Sequence, residues 1–479
     1  VARGGASEQA AKKATFRDVF AVAEFRALWT AQLLSVVGDQ LARVALTVLV
    51  YDRTRSAFLA AVTFVVSIVP TFVGGVTLAG LADRYPRRRV MIVCDLARCV
   101  LVLVMAIPQM PLAARVTLLF AMTLVGAPFT SARAATFPDV LTGDKYVIGN
   151  AVAFTTNQFA QAIGFAVGGA IVGFFHVGPS LVIDAATYAV SAAIARAWVL
   201  ARPAPSTPAS DQAATSRLSG VIAGARLVFV NPTLRTSMLF GWLAAFYDGP
   251  EGVAAPLGRS LGGGSTTVGL LLAVEVLGSS IGSLAFGRMV SPSRRLRVMG
   301  PLAIVSCAVL MLFAFSPPLV PDLVILCASG VFSCFQLAAN AAFVSAVPPE
   351  QRSQAFGLAV GGMSLGQGTV MILAGAVAGR YAPSAVIAVV GALGTVVAIA
   401  LALSWHADTR RDEPQTRQHR KLRQRQSYER RVKFRSSWWC ACRVSSSGWA
   451  GRGCGGLRSS WWCACRYLSA RWLVGLRLL

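Results

Sequence analysis

The chain has 479 residues, of which 55% are hydrophobic and 14% charged, and its mean hydropathy is +0.61. That balance excludes an ordinary soluble protein of this length and reads as an all-α polytopic membrane protein. The net charge of +25 points instead to nucleic acid, yet 13 of those charges lie between His406 and the C-terminus, together with five of the ten Cys and six of the ten Trp. The basic excess therefore belongs to an appendix, and no nucleic-acid partner is expected for the body.

Residues 1–24 contain Lys12, Lys13 and Arg17 but no apolar core, and read as a cytoplasmic leader rather than a cleaved signal. Apolar runs of about 20 residues, the length that crosses a bilayer, follow near 26–50, 57–79, 90–108, 113–133, 150–175 and 178–200. Six more lie near 234–256, 266–287, 298–316, 321–345, 355–379 and 383–405. The reading is twelve transmembrane helices in two six-helix halves, 25–200 and 234–405, with a linker at 201–233 that opens on a Pro- and Ser-rich stretch. Residues 406–479 form a Trp- and Cys-rich tail, expected to be disordered.

Cationic loops resist translocation, so their positions predict orientation. The leader and the loops near 80–89, 201–233 and 287–297 carry most of the Arg, whereas 176–179 and 317–321 have none and 257–265 has only Arg259. The first loop on that poorer side is the exception, with Arg53 and Arg55 partly offset by Asp52. This predicts cytoplasmic N- and C-termini. An internal repeat agrees with two halves: the stretch Gly80 to Met91 recurs in degenerate form as Gly287 to Met299, and Ala134 to Val140 recurs as Ala341 to Val347, 207 residues later.

The loop Gly80-Leu-Ala-Asp83-Arg84-Tyr-Pro-Arg87-Arg88-Arg89 resembles the signature between the second and third helices of the major facilitator superfamily, with Pro86 where a Gly is usual. Gly38-Asp39, Asp95-Leu-Ala-Arg98 and Val347 to Gly357 resemble its bacterial exporter branch, which includes macrolide-efflux and enterobactin-export proteins. The resemblance covers about residues 25–405. It implies alternating access between the halves, location in a bacterial cytoplasmic (inner) membrane, and a gating role for Gly80, Asp83, Arg84, Arg87, Arg88 and Arg89. Gly164-Phe-Ala-Val-Gly168-Gly169 is similar to the antiporter motif of the fifth helix, with Phe165 in place of the usual Pro.

Independently of any family, Asp83 and the arginines after it suit helix ends and neighbouring carboxylates, or simply anchor topology. Gly164, Gly168 and Gly173, with Gly169, predict a smooth strip for close helix packing, with a gating bend as the alternative. A charge at mid-bilayer costs on the order of 2.5–3.5 kcal/mol on an insertion scale and usually serves transport. Asp39 lies near the middle of the first run with Arg43 one turn on, a spacing that predicts an ion pair between them. Glu275 lies in the middle of the eighth run, and Asp248 and Glu251 nearer the outer end of the seventh. These five are the candidates for binding a coupling proton or a cationic substrate group, against a static Asp39 to Arg43 bridge as the alternative. Asp184 is a weaker candidate at the outer interface, and Asp95 with Arg98 reads as a structural pair close to the cytoplasmic face.

The three His have no metal or triad neighbour at a recognisable spacing, and there is no phosphate-binding Gly-Lys-Ser/Thr loop. No enzyme, cofactor or metal is expected; a proton gradient is the expected energy source, and the expected form is a monomer. The function read from this is proton-coupled efflux of amphipathic small molecules. A metabolite importer of the same fold is one alternative, and a membrane scaffold with a lipid- or nucleic-acid-binding tail is another. Within the tail, Arg435 to Arg443 is repeated word for word as Arg458 to Arg466; its four Cys give weak metal spacing and its Trp and Arg suit anionic lipid, but a functionless extension ranks first. Deleting residues 411–479 is accordingly expected to leave transport unchanged, and lost transport at equal membrane abundance would contradict this.

Overall fold

The computed structural model describes residues 15–78, 81–203, 226, 228–348 and 351–406. Gly80, the side chain of Asp83, most of the leader and linker, and the tail beyond His406 lie outside them. The chain divides into a body, residues 1–408, and a separate unit, Thr409–Leu479.

Among the described residues every regular element is helical. The first half comprises α1 (Ala23–Thr54), α2 (Ala57–Gly75), α3 (Arg87–Met105), α4 (Leu112–Val140), α5 (Asp144–Phe175) and α6 (Val177–Trp198). The second comprises α7 (Pro232–Trp242), α8 (Ser265–Met289), α9 (Arg294–Phe315), α10 (Leu319–Ala346), α11 (Ala355–Ala378) and α12 (Pro383–His406). Ten of these, all but α3 and α7, are long and apolar enough to cross a membrane. We call the end where the chain enters α1 the terminal end and the other the far end.

Helix α3 fails on composition because it carries Arg87, Arg88, Arg89, Asp95 and Arg98. Its periodicity explains how it nonetheless spans. Val93, Leu96, Val100 and Leu103 are exposed, while Met91, Cys94, Asp95, Arg98 and Val102 are buried, so the apolar stripe faces outward and the charges inward. That is the inverse of a water-soluble amphipathic helix.

The seventh segment departs from the continuous span expected over 234–256. After α7 come Ala244–Tyr247, a 3-10 turn at Gly249–Val253 and a last helix, Ala254–Ser260. Pro250 has no amide hydrogen to continue the helix, and the glycines beside it admit close neighbours. A Cβ on Gly249 would meet Val390 Cγ1 at 2.9 Å, and one on Gly252 would meet Met371 Cβ at 2.7 Å. The break presses this backbone onto α11 and α12 and places Asp248 and Glu251 at its centre.

Two helix pairs join the halves, α5 with α8 and α2 with α11. A Cβ on Gly169 would meet Gly269 Cα at 2.8 Å, and one on Gly375 would meet Ala61 Cβ at 2.5 Å. The 207-residue repeat offset carries Gly169 to Ala376 and Gly269 to Val62, one residue from the second contact. The two seams are therefore equivalents under the internal repeat. Val48, Phe64, Phe165, Val268, Leu272 and Met371 fill the space between them. Toward the far end Arg259 donates Nε and Nη2 to the two carboxylate oxygens of Asp52, at 2.9 and 2.5 Å. At the terminal end Arg202 makes a similar fork to Glu24, at 2.5 and 2.9 Å, and those bonds hold its guanidinium pKa above the ordinary value.

The glycine strip of α5 has two faces, not the single face expected. Residues four apart share a helix face and residues five apart do not. Gly164 and Gly168 lie against Gln40 and Leu41 of α1, whereas Gly169 and Gly173 lie against Ser265, Thr266 and Gly269 of α8. Gly269→Val would drive a branched side chain into the α5 backbone, and overpacking of this kind costs about 1–3 kcal/mol. A lower melting temperature is expected for it. Gly287→Ala, with nothing within 4 Å of the added carbon, is expected to leave the melting temperature unchanged.

Candidate functional site

Down α1, Arg43, Asp39, Ser35 and Gln32 recur at helical spacing and face a polar cavity of about 90 Å3 inside the first half. Ser67 and Thr71 of α2, Arg98 of α3, and Leu119, Met122, Thr123, Gly126, Phe129 and Thr130 of α4 complete the wall.

The predicted Asp39 to Arg43 pair is not formed. Asp39 is bonded instead by Arg98, through Nη2 to Oδ1, and by the Tyr188 hydroxyl, which donates to Oδ1 at 2.5 Å. Arg98 also donates to Ser35 Oγ and to the Tyr188 hydroxyl, both at 2.9 Å, and its guanidinium lies 4.2 Å from the Tyr188 ring centroid. The reason is positional: α6 packs beside α1 and brings Tyr188, and α3, packed on α4 and α6, sends the long Arg98 side chain across to α1, so Asp39 is satisfied before it reaches along its own helix. Arg98 thus belongs to this site as well as to the predicted pair with Asp95. Asp95 stands 3.8 Å from it and takes a hydrogen bond from Ser191 Oγ at 2.5 Å. Asp184, expected near the outer interface, is wholly buried and lies against Gly38, where any side chain would collide with it.

Arg43 turns the other way. Its Nη2 donates to the Ser67 carbonyl at 3.2 Å, and its guanidinium stands between the rings of Phe64 and Phe165, 5.4 and 5.8 Å from their centroids. Across the seam, Glu251 is the foremost charge in its field.

In the second half the three predicted carboxyls do come together. Asp248, Glu251 and Glu275 are charged neighbours of one another. Gln367 of α11 donates Nε2 to Asp248 Oδ2 at 2.5 Å. No Lys or Arg among the described residues forms an ion pair with any of the three, and Glu275 Oε1 is buried without a hydrogen-bond partner.

The basic loop stands apart, at the terminal end. Arg87 Nη1 donates to the Ala135 carbonyl and to Asp139 Oδ2, both at 2.7 Å, tying α3 to the end of α4. Arg88 donates to the Arg196 carbonyl at the end of α6, and Arg84 and Arg89 are exposed. Among the described residues, these bonds stay within the first half. Sequence reasoning missed Tyr188, Ser35 and Gln367 as site residues. The Asp95 to Arg98 spacing inside an apolar run was the available signal for Arg98; an isolated Tyr or Gln carries none.

A sequence profile described as Major Facilitator Superfamily matches residues 28–250 and 252–458. The chain is 24% identical over 278 residues to the enterobactin exporter EntS of Shigella boydii serotype 4 (strain Sb227), a match covering 56% of this chain and 64% of that one, less than two thirds of the relative's length. It is 25% identical over 363 residues to the multidrug efflux pump Tap of Mycolicibacterium fortuitum, covering 73% and 87%. A crystal structure of a peptide transporter, POT, superposes with a TM-score of 0.64 at 12% identity, covering 81% of this chain and 95% of that one, a likeness of fold alone.

The Asp39 to Arg98 pair yields a stability prediction. Removing one partner of a buried pair costs about 3–5 kcal/mol because the other is stranded, and Asp39, 31% exposed, is the milder loss. Arg98→Gln is expected to destabilise more than Asp39→Asn, and the double variant by less than their sum, with a coupling of about 1–3 kcal/mol. Unfolding of all four proteins in one detergent checks this; additive effects would mean that the pair contributes nothing.

Proposed function

The chain belongs to the Major Facilitator Superfamily, and from that premise we propose that it exports an amphipathic small molecule in exchange for protons by alternating access. The observation that carries this reading is the Asp248, Glu251 and Glu275 cluster, three carboxyls within the spans with no ion-pairing cation among the described residues. Carboxyls gathered away from water without a cation resist ionising together, which favours holding protons. When either face opens to water, hydration relieves that penalty, so the proton count of the cluster follows the face exposed. Each charge moved through 100 mV supplies about 2.3 kcal/mol, enough for a substantial gradient of substrate.

Export as the direction is supported by two relatives whose names are those of exporters. The loops' Arg bias supports a bacterial cytoplasmic membrane with the terminal end inside. The broken backbone at Gly249–Val253 supports a moving part here, because non-helical backbone at membrane depth is tolerated where protein or a cavity satisfies it.

Inverted vesicles energised by a proton gradient and screened over cationic and anionic dyes test the reading. Glu275→Gln and Asp248→Asn are expected to lower gradient-driven uptake by about ten-fold or more, as loss of a coupling group should, while substrate counterflow without a gradient persists. Unchanged gradient-driven uptake in both variants would remove the cluster from the coupling.

A further inference from the structure

Arg43 is a guanidinium inside a membrane span that lines the polar cavity, yet no carboxylate oxygen among the described residues lies within 4.0 Å of it. Among the described residues its Nε is buried without an acceptor, and its one hydrogen bond goes to the Ser67 carbonyl. The other cation of the cavity is occupied, because Arg98 is bound to Asp39. The carboxylates in the field of Arg43 are Glu251 and Asp39; the first lies across the seam and the second already takes two donors. A cation so placed is costly unless something answers it. Here the partial answer is two aromatic faces, Phe64 and Phe165, which hold a guanidinium in place without consuming its hydrogens.

We propose that Arg43 is a substrate-recognition residue and that the cavity takes the anionic head group of an organic monoanion, a carboxylate or phenolate on an apolar body. The fork of a guanidinium matches such an oxyanion. The hydroxyls of Thr123 and Thr130, on the α4 wall, donate to the Leu119 and Gly126 carbonyls of their own helix and meet the same head only by rotating away from them, while Leu119, Met122 and Phe129 give its body apolar contact. A cavity of about 90 Å3 has room for a head group but falls short of the roughly 300–1,000 Å3 of a drug-sized pocket, so the body of the ligand extends beyond it. This specifies the substrate class of the exporter reading and rests on that reading for transport, though not for binding.

The test uses the full chain in lipid nanodiscs and two probes of equal shape and opposite charge, 2-naphthoate and 2-naphthylmethylamine. Equilibrium binding is expected to favour 2-naphthoate by about ten-fold or more, and Arg43→Gln to weaken it by about ten-fold while changing the amine by less than about two-fold. Arg43→Lys, which keeps the charge and loses the fork, is expected to fall between. Tighter binding of the amine, no saturable 2-naphthoate binding, or an Arg43→Gln protein that binds 2-naphthoate within about two-fold of the parent would overturn the proposal. If the variant does not fold, the ratio of the two probes on the parent protein decides alone. Binding through Arg43 without gradient-driven movement of 2-naphthoate in proteoliposomes would sink proton-coupled export and leave the anion site standing. Gradient-driven movement that is indifferent to Arg43 would do the reverse.

Discussion

Hydrocarbon offers no water to an ionised side chain, so a charge carried into a span must find its partner in the protein or face a hydrated path. Most of the arrangement around α1 is an answer to that constraint. Asp39 and Arg98 meet from different helices, Tyr188 bridges them, and Ser35 Oγ accepts from Arg98 Nη1. Serving polar groups of three helices from one guanidinium fixes α1, α3 and α6 relative to one another. It also lets α3 cross the membrane despite five charged residues, because those near mid-span point inward and an apolar stripe is left for lipid.

Joining the halves relies on a different force. Lipid tails are as apolar as any side chain, so helices associate across the seam by close packing rather than by escape from water. Gly169 against Gly269 and Gly375 against Ala61 give the required approach, once on each side of the pseudo-twofold axis. Asp52 and Arg259 are themselves 207 residues apart and stand at equivalent ends of the first and seventh segments. A repeat that would place like residues at these two points has instead placed opposite charges there, and the resulting ion pair joins the halves toward the far end. Between that pair and Arg43 lies an apolar plug built from both halves.

The twelve-run pattern, the two halves and the repeat were legible because bilayer thickness fixes run length and a duplication fixes offset. The break in the seventh segment was less so: Asp248-Gly-Pro250 announces it locally, but an apolar window averages over it. For the site, the types of residue were legible and their partners were not. Asp39 and Arg43 share a helix face by spacing alone, while the choice of Arg98 depends on a long side chain reaching α1 from α3, which packs on α4 and α6, a fact of rotation and neighbourhood that no single run encodes. Asp248, Glu251 and Glu275 were found from depth in their runs, and converged because α7 and α8 are sequential. The α5 glycines show the same limit in reverse, since their spacing was read as one face where a difference of five residues makes two.

The halves end up unequal in a way that bears on how a cycle would run. In the first, Asp39 is paired with Arg98, Asp184 lies buried without a hydrogen-bond partner for its carboxylate oxygens among the described residues, and Arg43 stands beside the cavity without an ion pair among the described residues. In the second, carboxyls are gathered with no pairing cation among the described residues. On the proposed reading, Arg43 faces the carboxyls of the second half across the seam, with Glu251 and Arg43 as the groups in each other's field. Charge on those carboxyls and charge on an arriving anion therefore act on the same guanidinium.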